Sequence, residues 1–392
     1  MLNYIALASL FPILKQLFVL KFLDYNYLDI YGLLFAIIGI LVGLTNLGWS
    51  EITAINIAQK KSNKENRNLY YIAICIVLLV NTVFIPFVFI VQEIGFEYTF
   101  LACAFVIIAS VMQLNNKVAR SYDLLKVFFS VTIFKNLFDL LLFGLLSYND
   151  ALSLEALLTV EIGTSFFLVV YLWNIKVLKA SVFNFNKKRN YKNLKKYYLK
   201  HYLHASNILI MSALSLFLAF GDRLLYYHIL PREAYIEFLF YAIIINIFLS
   251  INALILTLLY TKLSKLQLQS KDRCIKVLDG IFLKLLLTLS LLPFLVYISV
   301  NLQLNFYEHV PYSINNTVAA FLYGYLLMFN VYEKYNILSK GRFMKYLQGG
   351  ALIIFLVMAL MMKVYDMANL FNLLVLVIVV RIVYIYMSRK VI

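Results

Sequence analysis

About twelve apolar stretches, each near the length of a bilayer crossing, alternate with short loops, and Lys and Arg gather in every second loop. A transmembrane helix needs roughly 20 mostly apolar residues, and cytoplasmic loops collect Lys and Arg whereas translocated loops do not. The pattern therefore constrains both fold and orientation. It predicts helices near residues 2–23, 27–48, 68–91, 98–115, 124–146 and 152–177, then 203–222, 234–261, 276–300, 314–333, 344–363 and 367–388.

One set of loops carries Lys60, Lys61, Lys64 and Arg67, then Lys117, Arg120 and Lys126, and later Lys262, Lys265, Lys271 and Arg273, Lys334, Lys340 and Arg342, and Arg389 with Lys390. The opposite set offers Arg223, Arg232 and Lys363 while carrying Asp24, Glu93, Glu97, Asp150, Glu155 and Glu308. This asymmetry puts both termini in the cytoplasm and requires an even number of crossings.

The composition excludes other classes. With 63% hydrophobic and 16% aromatic residues in 392, no soluble core of ordinary shape could hide the apolar surface, so the bilayer is the solvent. A net charge of +16 would suggest nucleic acid in a soluble chain, but here it concentrates in inward loops, where it sets topology and meets anionic lipid. The first stretch has no basic n-region and no small-residue cleavage site, and reads as helix one rather than a cleaved signal peptide. Cys75 and Cys103 fall inside predicted helices and Cys274 in an inward loop, an odd count that argues against a disulfide framework. His201, His204, His228 and His309 have no partner at metal-ligand spacing. No phosphate-cradling glycine loop, nucleophile elbow or zinc-protease motif is present, so the expectation is a non-enzyme without metal or cofactor.

The chain divides at its middle. Residues 178–202 form the longest basic segment and separate six predicted spans from six, giving an N-terminal bundle over 1–177, a cytoplasmic linker over 178–202 and a C-terminal bundle over 203–392. Because six is even, the halves can only be related by an axis along the membrane normal, the parallel-repeat geometry of transporters. The fold class expected is an all-α polytopic membrane protein of two six-helix bundles related by a pseudo-two-fold axis. A faint echo between Leu28–Ile38 and Glu233–Ile244 agrees with it. Gly39 and Gly43 form a G-x-x-x-G pair that predicts close helix packing, with a hinge as the other reading. Pro12, Pro86 and Pro293 lie inside predicted spans, where each removes a backbone hydrogen bond, and Trp49 and Trp173 fall where interfacial anchors belong.

Charge inside the bilayer carries the functional signal. A charged side chain at the membrane centre costs at least ~2.5–3.5 kcal/mol on insertion scales, so it faces a bundle interior or a wet cavity. Lys15 and Lys21 fall on the first predicted helix, Lys135 and Asp139 on the fifth, Glu161 on the sixth, Asp279 and Lys284 on the ninth and Arg381 on the twelfth, while Asp222 and Arg223 close the seventh. Lys135 and Asp139 are four apart and share a helix face, where they can neutralise each other. Lys21, Asp279 and Arg223 are near enough to predicted ends to snorkel to the headgroups. Lys15, Lys284 and Arg381 have no opposite charge at helical spacing, leaving either a cavity role or pairing with Glu161 or another helix. A cleft lined by such cations suits an anionic substrate, a lipid diphosphate, a sugar acid or an anionic drug among them. Asn46, Asn81, Asn207, Asn246 and Asn252 are the candidate sugar contacts.

Two six-helix halves, Tyr31-Gly32 opening the second helix, Asp222-Arg223 closing the seventh and Tyr235 shortly after it resemble the polysaccharide and O-antigen flippases, the polysaccharide-transport branch of the multidrug/oligosaccharidyl-lipid/polysaccharide exporter superfamily. The resemblance implies movement of undecaprenyl-diphosphate-linked oligosaccharide between leaflets of a bacterial inner membrane by alternating access, through a cationic cavity. It also implies a polysaccharide polymerase and chain-length machinery as neighbours in the same process. By the resemblance Arg223 is the matched substrate-binding residue; Lys15, Lys284, Arg381 and Lys21 rest on charge, with Lys135, Asp139, Glu161 and Asp222 as ion or pairing residues. Two other readings stay open, a drug or cation antiporter of the same superfamily using Asp139 and Glu161, and a polysaccharide polymerase, which resembles its relatives in carrying a large outward loop that this chain lacks.

Overall fold

The computed structural model describes residues 2–44, 48–58, 62–91, 95–122, 124–175, 191–249, 271–287, 292–306, 313–328 and 344–391. Lys60, Lys61, Asn46, Asn252, His309, residues 178–190 of the expected linker and the loop cations Lys262, Lys265, Lys334, Lys340 and Arg342 lie outside them. Every regular element among the described residues is α-helical: α1 Leu2–Phe22, α2 Tyr25–Leu44, α3 Trp49–Ala58, α4 Asn63–Val91, α5 Phe96–Ser121, α6 Leu125–Tyr148, α7 Leu154–Asn174, α8 Tyr191–Ile229, α9 over 232–249, α10 Lys271–Leu287, α11 Leu292–Phe306, α12 Ile314–Met328, α13 Met344–Val364 and α14 Leu370–Val391.

Among the described residues seven helices are long and apolar enough to cross a bilayer. Their outer faces are apolar too: Leu79 is 64% exposed, Phe100 69% and Leu145 59%. Surfaces of that kind are tolerated where the surrounding medium is lipid, and a chain built this way is a multi-pass membrane protein.

The chain forms two compact units, one of Met1–Lys15 with Ile37–Ala213 and the other of Gln16–Ala36 with Leu214–Ile392. In the first, α5 packs along α7 and α4, and α3 packs on both α4 and α5. Trp49, Ile52, Leu69, Tyr70, Leu114, Val118, Leu168, Leu172, Ala205 and Ile208 make one buried apolar cluster there. The α6–α7 hairpin turns through Asp150, at φ 53°, and Ser153 caps α7 by accepting from the Ala156 backbone N–H at 3.2 Å. In the second unit, α12 and α13 pack on α14. Arg232, at the start of α9, clamps the α1–α2 turn: its Nε donates to Asp29 Oδ2 at 3.1 Å and its Nη2 to the carbonyls of Tyr25 at 3.2 Å and Asn26 at 3.1 Å.

Several sequence expectations are corrected. The second helix, expected to reach residue 48, is described as far as Leu44; Gly48 already lies in a turn at φ 75°, and the expected loop contains α3, whose Trp49, Ser50, Ile52, Thr53, Ala54, Asn56 and Ile57 are buried. Ten residues are too few for a crossing, and mixed polar and apolar content hid a helix that is buried in protein rather than lipid. Trp49 is a core residue rather than an interfacial anchor, its ring stacking on Tyr198 at 5.2 Å, and the half-buried Trp173 packs against the same cluster and donates Nε1 to the Tyr70 hydroxyl at 3.2 Å. Gly39 is not at a close packing point, since a Cβ built there meets nothing within 4 Å. Close approach occurs instead at Gly32, whose Cβ position is 2.4 Å from Leu239, and at Gly48, 2.3 Å from the Ala205 carbonyl oxygen with φ +75°. Finally, α8 begins at Tyr191, inside the stretch expected to be linker, and runs for 39 residues.

Candidate functional site

In the first unit, positions 135 and 139 lie one turn apart on α6, and positions 161 and 164 lie about one turn apart on α7, so each helix presents its pair on one face. Lys15 of α1 completes the group. Lys135 Nζ lies 2.8 Å from Asp139 Oδ2, and Lys15 Nζ lies 3.1 Å from the same oxygen. Both ammoniums also bridge to Glu161, one to each carboxylate oxygen. The free Asp139 oxygen accepts from Thr164 Oγ1 at 2.6 Å. Asp139 is fully buried, Glu161 and Lys135 are buried, and the Lys135 ammonium stands 5.8 Å from the Phe105 ring centroid. Two positive and two negative charges thus balance in one desolvated cluster.

The second unit holds a different balance. Asp222 on α8 is buried, and its Oδ2 accepts from the Tyr323 hydroxyl of α12 at 3.1 Å while its Oδ1 accepts from the backbone N–H of Arg223 at 2.8 Å. Arg381, on α14 and 2% exposed, interacts with both Tyr323 and Asp222. With Asp222, Tyr323, Phe355, Val377 and Val380, Arg381 lines a cavity of about 10 Å³, room for roughly one water molecule. Arg223 sends Nη2 to Asn246 Oδ1 of α9 at 2.5 Å, and Asn246 Nδ2 donates to Gln16 Oε1 of α1 at 2.9 Å. The Arg223 and Arg381 guanidiniums thus stand near one buried carboxylate, Asp222.

Lys15, Lys135, Asp139 and Glu161 are thus brought together in one unit, and Asp222, Arg223 and Arg381 in the other. Tyr235, Gly32 and Leu239 meet in the second unit as well, so the segments that echo each other in sequence pack on each other there. Lys21 and Lys284 join neither cluster. Lys21 is exposed, with its ammonium 5.7 Å from the Phe22 ring, and Lys284 is exposed on α10 beside Leu283. Among the candidate amides Asn246 is part of the Arg223 relay, and Asn81 is buried in α4. Sequence reasoning missed Thr164, Gln16 and Tyr323. Thr164 was signalled by its place three after Glu161 and Gln16 by its place beside Lys15, but nothing distinguishes Tyr323 among the 30 tyrosines.

No protein-family model matches the chain, and no curated protein matches it in sequence. Solved structures match its fold over essentially the whole length. The outward-facing conformation of a multidrug resistance MATE family transporter of the MOP superfamily matches with TM-score 0.68 and 12% identity, covering 100% of this chain and 93% of that one. A MATE structure in complex with MaD3S matches at 0.65 and 13% identity, with the same coverage of 100% and 93%. A MOP superfamily transporter from Pyrococcus furiosus Vc1 (DSM3638), whose binding pocket of reverse polarity is described as suggesting a different function, matches at 0.61 and 12% identity over 98% of this chain and 91% of that one. At these identities the likeness is one of fold: the chain has the helical fold of MATE-type membrane transporters of the MOP superfamily.

Proposed function

We propose that the chain is a flippase that carries undecaprenyl-diphosphate-linked oligosaccharide from the cytoplasmic to the outer leaflet of a bacterial inner membrane by alternating access. The observation that carries this reading is the placement of two arginines, Arg223 and Arg381, inside the second unit near the buried Asp222 and the amide of Asn246. Guanidiniums in a desolvated bundle suit an anion with several acceptor oxygens, and a diphosphate supplies them in the geometry a guanidinium fork favours. The lipid tail stays in the bilayer while the head group crosses, and both termini lie in the cytoplasm. Polymerase and chain-length machinery act on the product. A drug or cation antiporter is the second reading, favoured by the buried carboxylates Asp139 and Glu161 and by the multidrug transporters among the fold neighbours. The ammoniums of Lys15 and Lys135 already neutralise those carboxylates, which weighs against a cationic cargo there.

The test is deletion in the host followed by localisation of lipid-linked oligosaccharide in sealed, oriented vesicles through its accessibility to a sugar-cleaving enzyme. The expected result is accumulation of complete single repeats on the cytoplasmic leaflet, reversed by the wild-type chain, weakly by Arg223→Gln and more fully by Arg223→Lys. Single repeats that reach the outer leaflet but stay unjoined would identify a polymerase. Unchanged lipid intermediates, with altered efflux of a cationic dye, would identify the antiporter.

A further inference from the structure

The first part of α8 is amphipathic in an unusual direction. Its inner arc, Leu194, Tyr197, His201, Ala205 and Ile208, is buried in or packed against the first unit. Glu65 of α4 anchors that arc, accepting from Lys200 Nζ at 3.0 Å and facing His201 Nε2 at 3.1 Å, and the Tyr198 ring stacks on Trp49. At 100° per residue an outer arc of about 120° holds the exposed Lys195 and Lys196, then Leu199 at 64%, Tyr202 at 48%, Leu203 at 76% and Ile210 at 42%, with the half-buried Ser206 among them.

Along the helix this outer arc changes from cationic to apolar. A helix of 39 residues spans about 58 Å at 1.5 Å per residue, well beyond a hydrocarbon core of about 30 Å, so its charged end stands in the headgroup layer while Leu203 and Ile210 enter the acyl region. We propose that this outer arc is a docking surface for an anionic phospholipid of the leaflet that faces the basic loops. Lys195 and Lys196 hold its headgroup, Leu199 and Leu203 hold the start of its chains, and Tyr202 stands at the boundary. The occupant is amphipathic because the surface is. It is anionic because Lys195 and Lys196 are exposed on the arc, and no Asp or Glu occurs between residues 191 and 210. The ordered backing from Trp49 and Glu65 gives the ammoniums a fixed platform, unlike cations on a loop.

The purified full-length chain is titrated with phosphatidylglycerol or phosphatidylethanolamine and the bound lipid counted by native mass spectrometry. Wild type is expected to bind phosphatidylglycerol at least severalfold better than phosphatidylethanolamine. The double variant Lys195→Gln, Lys196→Gln should lose that preference, Lys195→Arg, Lys196→Arg should keep it, and thermal unfolding of all three should match. Removing the same charge elsewhere, by Lys64→Gln with Lys276→Gln, should leave the preference intact. Equal binding of the two lipids by wild type, or equal loss from the two glutamine pairs, would overturn the assignment. Displacement of phosphatidylglycerol by undecaprenyl diphosphate at stoichiometric amounts would overturn it as well, because the arc would then belong to the transported lipid.

Discussion

Four charged side chains meet in the first unit because none of them is tolerable alone. At ~2.5–3.5 kcal/mol for each lone charge at the membrane centre, Lys15, Lys135, Asp139 and Glu161 would together cost ~10 kcal/mol or more, comparable with the whole net stability of a domain. Their mutual bridges and the Thr164 hydroxyl offset that cost. Breaking such a group is expensive because it strands the remaining charge, whereas replacing a pair by apolar residues of similar volume is often nearly neutral. Lys135→Met and Asp139→Leu are therefore each expected to destabilise the chain by roughly 3–5 kcal/mol, and the double substitution by less than either alone. Fluorescence-detected thermal unfolding in detergent measures this. A double variant as damaged as the sum of the singles would mean that the two side chains do not compensate one another. Lys135 and Asp139 were legible in the sequence as a pair on one helix face, whereas Lys15 left a cavity role and pairing with Glu161 both open. Its partners are 124 and 146 residues away, a separation that no helical periodicity encodes.

At the scale of helices, glycine content misled where glycine geometry did not. The G-x-x-x-G spacing drew attention to Gly39, which faces open space, while the lone Gly48 sits at φ +75° with a neighbouring backbone oxygen 2.3 Å from where a Cβ would stand. Gly48→Ala is therefore expected to cost more than ~1 kcal/mol, from left-handed backbone and from the clash with α8 together. Gly39→Ala is expected to be neutral or slightly stabilising, since it adds helix propensity and meets no neighbour. Parallel melting curves of the two variants decide it, and a Gly39→Ala variant that melts lower than Gly48→Ala would reverse the assignment of the packing point. Element boundaries failed for a related reason. The expected spans were drawn from apolar runs, so α3 and the first turns of α8, which are stabilised by protein contacts rather than lipid, fell into segments read as loops.

For the molecule as a whole, orientation is the property most directly open to test. In a chain cleared of its native cysteines, Asp150→Cys is expected to react with a membrane-impermeant thiol reagent in intact cells, and Lys64→Cys only after permeabilisation. The reverse pattern would invert the topology and with it the leaflet assigned to the basic arc of α8. What the linear chain settled was what depends on counting and partition: a bilayer as solvent, long helices in succession, and a short inventory of charges with no business in lipid. Those are one-dimensional properties, because hydropathy and charge act on a segment wherever its neighbours are. Only the folded arrangement decided which charges are compensated and by whom. Lys15 reached two carboxylates on other helices, Arg381 reached Tyr323 and Asp222, and Lys284 stayed on an exposed face, although all three look alike in sequence. Coulomb energy falls with distance in space, and the distances were set by helix packing that no local pattern specifies.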